Sequence, residues 1–261
     1  MGILNITPDS FSDGGSFSSP EAAAQQAVAM EKAGAAVIDI GGESTRPGSK
    51  VVSAEKQKAR VLPVIEAVRK RTTVPVSIDT CIPEVAEAAV KAGAGMINST
   101  NAMETPGMTE LAVSLGLPVV LMHMKGTPET MQTKPFYEDG DAPEEIAHYL
   151  LSRVETLVKT GMPREMILVD PGIGFGKRLE DNLALIHSLE WIGNVTGCRV
   201  LLGHSRKTFL GSITGIDMAD QRDSVTHIVT ALTSGADMIR VHDVPGTVAA
   251  LKVSKALRMS L

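Results

Sequence analysis

The feature that most constrains the fold is the alternation of short apolar runs with longer amphipathic segments along the whole chain. Three junctions repeat one pattern, a small residue followed by Gly and Ala, at 33–35, 92–94 and 234–236. A glycine there suits the C-terminal cap of a helix that leads into the next strand. Repeated strand–helix units with apolar strands are typical of a parallel sheet covered by helices.

Eight such units fit into the 261 residues. We predict strands at 2–5, 36–40, 74–78, 95–97, 118–122, 166–169, 199–202 and 238–241. We predict helices at 21–33, 54–71, 83–91, 107–115, 142–160, 182–189, 223–234 and 247–259. The pattern favours an α/β chain that folds as one (β/α)8 TIM barrel domain over 1–261, since such barrels typically have ~250 residues. An open, doubly wound sheet is the second choice, but no G-x-G-x-x-G motif follows the first strand.

Composition excludes several classes of partner and location. The net charge is −5, from 25 basic and 30 acidic residues, and no basic stripe is present, which argues against nucleic acid as a partner. The chain has no apolar run long enough to cross a membrane and no signal peptide pattern. Cys81 and Cys198 share no motif spacing, so we expect no disulfide framework and a reducing compartment, the cytoplasm.

Polar side chains stand where the predicted strands end. They are Asn5, Glu43, Asp79, Asn98, His123, Asp170, Ser205, Arg206, Lys207, Arg240 and His242. In a (β/α)8 barrel the active site lies at these ends. Singly, each has another explanation: Asp79 could bind loop backbone, Arg240 could form a structural ion pair, and His123 could simply be packed in the barrel. Together, on one face, they indicate a ligand site.

The sixth strand ends in the sequence DPGIGFGK at 170–177. Its three glycines allow a sharp turn and a close approach of the backbone to a ligand. The alternative is an ordinary strand-to-helix turn in which Asp170 caps the next helix. Lys177 has no role in either interpretation.

One group of these residues suits a flat, nitrogen-rich heterocycle with several N–H donors and a carbonyl. It comprises Asp79, Asn98 and Asp170, with Lys207 as the flanking cation. Carboxylates bind such donor edges strongly and directionally. The two carboxylates are alternatively a general acid/base pair.

A second group suits an anion. Arg240 and His242 precede the last helix, and a helix N-terminus beside cations is a phosphate site. The two groups together predict a heterocycle that carries a phosphate or pyrophosphate.

A metal hydrolase is the main rival on this fold. It would need a His-x-His at the end of the first strand, where Asn5-Ile6-Thr7 stands instead. His123, His204 and His242 lack paired spacing, which argues against a protein-ligated Zn²⁺. Mg²⁺ held by Asn5, waters and substrate phosphates fits the sequence better.

Two early loops are predicted to act as lids. Residues 9–15 are acidic, aromatic and glycine-rich, and residues 43–48 carry Arg46. Charged, glycine-rich loops over a barrel mouth are typical of mobile lids.

Seven stretches of the chain together closely resemble dihydropteroate synthases of folate biosynthesis. They are MGILNITPDSFSDGG at 1–15, GGESTRPG at 41–48, SIDT at 77–80, MHMKGTP at 122–128, DPGIGFGK at 170–177, SRK at 205–207 and RVHD at 240–243. That family joins 4-aminobenzoate to 6-hydroxymethyl-7,8-dihydropterin pyrophosphate, giving 7,8-dihydropteroate and pyrophosphate. The resemblance further implies a Mg²⁺-dependent homodimeric transferase and a sulfonamide target, although sulfonamide sensitivity depends on fine geometry in the lids.

The resemblance also implies roles for individual residues. It implies that the pterin is bound by Asp79, Asn98, Asp170 and Lys207, with Met122 and Phe175 lining the slot. It implies that pyrophosphate and Mg²⁺ are bound by Asn5, Arg240 and His242. The residues implied for the 4-aminobenzoate site and the lids are Asp13, Thr45, Arg46 and Ser205. Asp13 would stabilise a cation at the pterin methylene. Asp13, Lys207, Arg240 and His242 are therefore the residues predicted to be catalytic.

Two departures from the family keep other functions open. Ser99 follows Asn98 where the family usually has an aspartate, so we expect different polar contacts in that loop. The family also has a segment before the first strand that helps seal the barrel bottom, whereas Gly2 leads directly into the strand here; a start-site difference would account for this. The alternatives are a pterin-binding methyltransferase, which has no use for Arg240 and His242, and a non-catalytic pterin-binding paralogue.

Overall fold

In a computed structural model the chain is described over residues 1–6, 19–44, 48–49, 51–133, 135–137 and 141–259. Eight parallel strands form one sheet in chain order. They are β1 Gly2–Asn5, β2 Ile38–Gly41, β3 Val76–Asp79, β4 Met96–Ser99, β5 Val119–Met122, β6 Ile167–Asp170, β7 Arg199–Leu202 and β8 Met238–Ile239. The predicted (β/α)8 barrel is confirmed, and the doubly wound alternative is wrong.

The barrel closes through Val241, the second residue after β8. Val241 forms a parallel bridge with Gly2. Its N–H donates to the Met1 carbonyl at 3.0 Å, and its carbonyl accepts from the Ile3 N–H at 2.9 Å. The last strand therefore lies beside the first.

Helices follow the strands. They are α1 Pro20–Lys32, α2 Ala54–Arg69, α3 Pro83–Lys91, α4 Met108–Leu115, α5 Ala142–Thr160, α6 Leu179–His187, α7 Leu189–Thr196, α8 Thr208–Thr214, α9 Asp223–Leu232 and α10 Val244–Met259, with 3-10 turns at Arg164–Met166 and Ala219–Arg222. Across the described part of the chain, no helix combines the length and apolar character needed to span a membrane.

Three helix predictions differ from the structure. The segment predicted as one helix at 182–189 belongs to two, because the chain bends at Ser188, which ends α6 and precedes α7. The short helix α8 was not predicted. The last helix begins at Val244 instead of 247, because proline at 245 is tolerated in a first turn, where its missing N–H costs nothing.

Side chains alternate along each strand between the helices and the barrel interior. A lower interior layer is apolar and consists of Met1, Val37, Met96, Val120, Leu168, Leu201 and Met238. Two residues further along the chain from each of these stand Ile3, Asp39, Asn98, Met122, Asp170, Gly203 and Arg240. Because the side-chain period of a strand is two, these residues face the interior as well, so a mostly polar layer lies above the apolar one.

Candidate active site

A cavity of about 380 Å³ opens at the carboxyl ends of the strands. Every predicted site residue that the structure describes lines it: Asn5, Asp79, Asn98, Met122, Asp170, Phe175, Ser205, Lys207, Arg240 and His242. The remaining predicted site residues, Asp13, Thr45 and Arg46, lie outside the described residues, as do the whole of the predicted lid at 9–15 and half of the one at 43–48.

A buried ionic network holds Arg240 against two strands on the far side of the barrel. Its Nε donates to Asp39 Oδ2 at 2.7 Å, and its Nη2 donates to Asp79 Oδ2 at 2.9 Å. Asp39 Oδ2 also accepts from Asn98 Nδ2 at 3.0 Å. Burial raises the pKa of the Asp79 carboxyl, whereas the charge of Arg240 lowers it. The network fixes the Arg240 guanidinium on the wall of the cavity.

Asp39 is the residue of this network that the sequence analysis missed. It is fully buried inside β2, between Ile38 and Ile40. Its Oδ1 finds no hydrogen-bond partner among the described residues. The predicted site residues stand at strand ends, whereas Asp39 lies within a strand. A carboxylate in an otherwise apolar strand was the signal available, because burying a charge requires a partner.

Asp170 is the last residue of β6, and its side chain binds the backbone of the loop that follows. Its Oδ1 accepts from the Gly172 N–H at 2.8 Å. The next helix begins only at Leu179, so the alternative in which Asp170 caps that helix is wrong. Burial is the main cause that raises the pKa of Asp170, opposed by the Gly172 N–H and by the charge of Lys207.

The three glycines after Asp170 all have the positive φ of a sharp turn, and Gly174 lines the cavity, but Gly172 and Gly176 lie against backbone instead. A Cβ on Gly172 would lie 1.9 Å from the His123 carbonyl oxygen, and one on Gly176 would lie 2.3 Å from the Lys125 carbonyl oxygen. Both have positive φ, 69° and 65°. They let the β6 loop press against the backbone of the β5 loop, not against a ligand.

Lys207 and Phe175 form one wall of the cavity. The Lys207 ammonium lies 3.6 Å from the centre of the Phe175 ring, a cation–π contact. Phe175 packs with Met122 and Met131 in a small apolar cluster. The wall therefore combines apolar side chains with a cation that lies over the Phe175 ring.

Ser205 and His242 occur together beside Arg240. The Ser205 hydroxyl lies 3.0 Å from His242 Nδ1 and accepts from the His242 N–H at 3.2 Å. The predicted contribution of the last helix is wrong in one respect: no residue of its first turn lines the cavity. Asp243 occupies that N-terminus, with Oδ1 near the Gly246 N–H at 3.4 Å. The cationic and polar groups in this part of the cavity therefore come from side chains, not from the start of the last helix.

Two more arginines line the cavity: Arg206, which was predicted as one of the strand-end residues, and Arg222, which was not predicted. Arg206 has a positive φ of 60° and forms a two-point ion pair with Asp223, at 2.8 and 2.7 Å. Arg222 donates to the Arg206 and Ile216 carbonyls. Arg222 is buried, and it fixes the backbone between Ser205 and Lys207.

His123 and Ser99 do not line the cavity. The His123 ring is buried edge-on to Tyr149, with ring centres 5.0 Å apart, so the packed-histidine explanation is correct. The Ser99 hydroxyl accepts from the Met103 N–H at 3.0 Å and donates to Asn101 Oδ1 at 2.9 Å. The serine at 99 therefore forms these two hydrogen bonds within its own turn.

The described residues could hold a metal ion only if a substrate supplied part of its coordination shell. Among the described residues no three His, Cys, Asp or Glu side chains cluster in a way that suits a metal ion. Asn5, whose side chain carries an amide oxygen, lines the same cavity as Arg240 and His242. Mg²⁺ commonly takes few protein ligands and completes its shell with waters and substrate phosphates. The donors present fit such an ion.

Comparison with known proteins agrees with this geometry. The profile of the family described as "Pterin binding enzyme" matches residues 1–242. The dihydropteroate synthase of Escherichia coli K12 is 44% identical over 257 residues, covering 98% of this chain and 90% of that protein. The Yersinia pestis dihydropteroate synthase, solved with a sulfonamide drug, superposes with a TM-score of 0.92 at 41% identity, covering 99% and 94% of the two chains.

A third comparison concerns a product complex. The Xanthomonas albilineans dihydropteroate synthase with 7,8-dihydropteroate has a TM-score of 0.87 at 40% identity, covering 99% of this chain and 92% of that one. The barrel and its cavity thus define a pterin binding enzyme. Within that class the chain belongs to the dihydropteroate synthase family, which makes it a transferase.

Proposed function

We propose that this chain condenses 6-hydroxymethyl-7,8-dihydropterin pyrophosphate with 4-aminobenzoate to form 7,8-dihydropteroate and pyrophosphate. The observation that carries the proposal is the two-part cavity. A slot with Asp170, Lys207 and Phe175 adjoins an anion site with Arg240 and His242. A pterin-binding methyltransferase would have no use for the second part.

The residues of the slot suit the pterin ring. The Asp170 carboxylate accepts from its N–H groups, and the Lys207 ammonium donates to its carbonyl. Phe175 supports one face of the ring. Asp79 and Asn98 line the same cavity and present further acceptors. Charged hydrogen bonds in a buried slot are the strong ones, so the ring is held in one orientation.

The anion site suits the leaving group. A pterin is electron-rich, so the methylene carbon develops positive charge as the carbon–oxygen bond to pyrophosphate breaks. The Arg240 guanidinium, fixed by Asp39 and Asp79, stabilises the departing anion without having to reorganise. His242 and Ser205 add donors. The aromatic amine of 4-aminobenzoate then attacks, and it needs no strong base because it is already nucleophilic at neutral pH.

The roles of the lid residues in this proposal come from the resemblance to the family. Asp13 would stabilise the cation, and Thr45 and Arg46 would contact 4-aminobenzoate together with Ser205. Closing loops over the site would exclude water, which would otherwise trap the cation. Sulfonamides would then compete with 4-aminobenzoate.

A condensation assay tests the proposal. Radiolabelled 4-aminobenzoate, pterin pyrophosphate, Mg²⁺ and the purified protein are expected to give labelled dihydropteroate and one equivalent of pyrophosphate. Absence of product would contradict the proposal. Tight pterin binding without turnover, restored by Ser99→Asp, would indicate the non-catalytic paralogue. Failure of pyrophosphate to compete for the site would favour the methyltransferase.

We propose that Mg²⁺ acts with the pyrophosphate at Asn5. When bound, it would neutralise charge on the leaving group. Removing divalent ions with a chelator is expected to lower the rate by at least about 10-fold, with recovery on adding Mg²⁺. Asn5→Ala should raise the Mg²⁺ concentration needed for half-maximal rate and leave pterin binding without metal unchanged. A rate insensitive to chelation would refute this role.

Replacing Asp170 by Asn is expected to raise stability and remove activity. An asparagine Oδ1 still accepts from the Gly172 N–H, but no charge is buried. Because the folded state raises the pKa of Asp170 above its ordinary 3.8, ionised Asp170 opposes folding. The gain in melting temperature should therefore be absent below that pH and grow as the pH rises through the folded-state value. Thermal melts from pH 4 to pH 8 measure it; a loss of stability at pH 8 would contradict the argument.

We propose that the protein is a homodimer that associates through α9 and α10. These helices pack together and leave six large apolar side chains exposed: Ile228, Leu232, Leu251, Val253, Leu257 and Met259. Apolar patches of this kind mark protein interfaces. Light scattering should give a dimer for the native chain and a monomer for Leu232→Glu. Val51→Glu, equally exposed but outside both helices, is the control, and a monomeric native chain would refute the proposal.

We also propose a cytoplasmic location. Both cysteines, Cys81 and Cys198, are free thiols. Neither has a disulfide partner within the described residues, which suits a reducing compartment.

A further inference from the structure

Lys177 is a buried amine that the reaction proposed above does not use. Only 4% of the residue is exposed, and it does not line the cavity. Its Nζ lies 3.0 Å from His123 Nδ1 and 3.0 Å from the Phe175 carbonyl oxygen, with the His123 carbonyl oxygen at 3.4 Å. One amine thus joins the end of β5 to the loop that follows β6.

The protonation states agree with this arrangement. Burial is the main cause that lowers the pKa of His123 to about 2, so its imidazole is neutral and accepts at Nδ1. Burial likewise lowers the pKa of Lys177 to about 7, although the charge of Asp170 raises it. Asp181, the other nearby carboxylate, is bound by Arg178 at 2.8 and 2.9 Å. Lys177 is therefore a donor to neutral acceptors.

The two loops that Lys177 joins carry Met122 and Phe175, which pack together in one apolar wall of the cavity. Met122 immediately precedes His123, and Phe175 offers its carbonyl to the amine while its ring lines the cavity. Lys207 lies over that ring. The loops touch closely at Gly172 and Gly176, so a small shift in either moves the part of the wall it carries.

We propose that Lys177 is a positioning residue that sets the spacing of Met122 and Phe175, and thereby the fit of the slot around the pterin. This inference rests on the proposed function. Lys177 donates to the backbone of Phe175 in the slot, and none of its hydrogen bonds described above goes to a residue of the anion site, so its effect falls on the substrate that the slot holds. Pterin binding depends on it, whereas 4-aminobenzoate binding and the chemical step do not.

Lys177→Met tests the inference, since it keeps the length of the stem and removes the donors. The KM for pterin pyrophosphate and the calorimetric Kd for a pterin are expected to rise about 10- to 100-fold. The kcat and the KM for 4-aminobenzoate should stay within about 3-fold of the native values. Lys125→Met is a control, because Lys125 is a partly exposed lysine of the β5 loop that pairs with Glu145 at 2.8 Å.

A stability control separates positioning from general damage. Val154→Ala, in the buried face of α5, lowers the melting temperature without approaching the cavity. If Lys177→Met changes the melting temperature like Val154→Ala but leaves pterin Kd and KM native, the inference is wrong. Should the Met variant fail to fold, Lys177→Gln is tested instead, because its side-chain NH₂ group is still a donor. Its KM for pterin pyrophosphate and its Kd for a pterin are then compared with the native values. Native protein that binds no pterin would instead overturn the proposed function.

Discussion

Lys207→Ala is expected to lower kcat/KM by at least about 100-fold while leaving the protein folded. The ammonium is the slot's cation, placed 3.6 Å over the Phe175 ring. A cation–π contact contributes only about 0.5–1 kcal/mol at a partly exposed site. For a chain of this size that corresponds to a drop in melting temperature of no more than about 4 °C. Steady-state kinetics and thermal melts measure the two effects.

Lys125→Ala is the matched control for that variant. Lys125 also places its ammonium over a ring, 4.1 Å from the centre of Tyr137, but it does not line the cavity. It should cost similar stability and leave the kinetics native. Native rates in Lys207→Ala would show that the slot does not use this cation.

Arg240→Met is expected to damage stability and activity together. It leaves Asp39 and Asp79 buried without their common partner, and removing one member of a buried ion pair typically costs about 3–5 kcal/mol. The affinity for pyrophosphate should fall as well, since the anion site loses its guanidinium. Denaturant unfolding and product inhibition by pyrophosphate measure the two effects.

A second substitution separates the two losses. In Arg240→Met combined with Asp39→Asn, one uncompensated charge is gone, so much of the stability should return while activity stays lost. Arg206→Met is the control, because the pair of Arg206 with Asp223 is partly exposed and should contribute about 1 kcal/mol or less. A double variant no more stable than Arg240→Met would show that Asp39 is not the source of the cost.

The sequence predicted the strand ends well for a physical reason. A buried strand excludes polar groups, so Asp79, Asn98 and Asp170 stand out where the apolar runs stop. Asp39 was not predicted because its partner Arg240 is 201 residues away, and nothing local in the sequence shows that the charge is compensated. The glycines at 172 and 176 were likewise given the wrong neighbour, since only the folded chain shows the β5 loop behind them.

Other misses concern contacts that no periodicity encodes. The bend at Ser188 interrupts a continuous helical pattern, and the carbonyls that Arg222 binds come from separate loops. Lys177 had no assigned role because its partner His123 lies on another loop, 54 residues away in the chain. Long-range hydrogen bonds of this kind follow from the topology, so they can be recognised only once the barrel is assembled.

The closure of the barrel through Val241 has a consequence for how the protein folds. Arg240, which precedes Val241, lies 201 and 161 residues from its partners Asp39 and Asp79 in the chain. Contacts this distant in sequence form late in folding. Until they form, the chain carries two acidic groups whose cation has not yet reached them. The residue proposed to bind the leaving anion therefore becomes fixed in place only when the barrel closes.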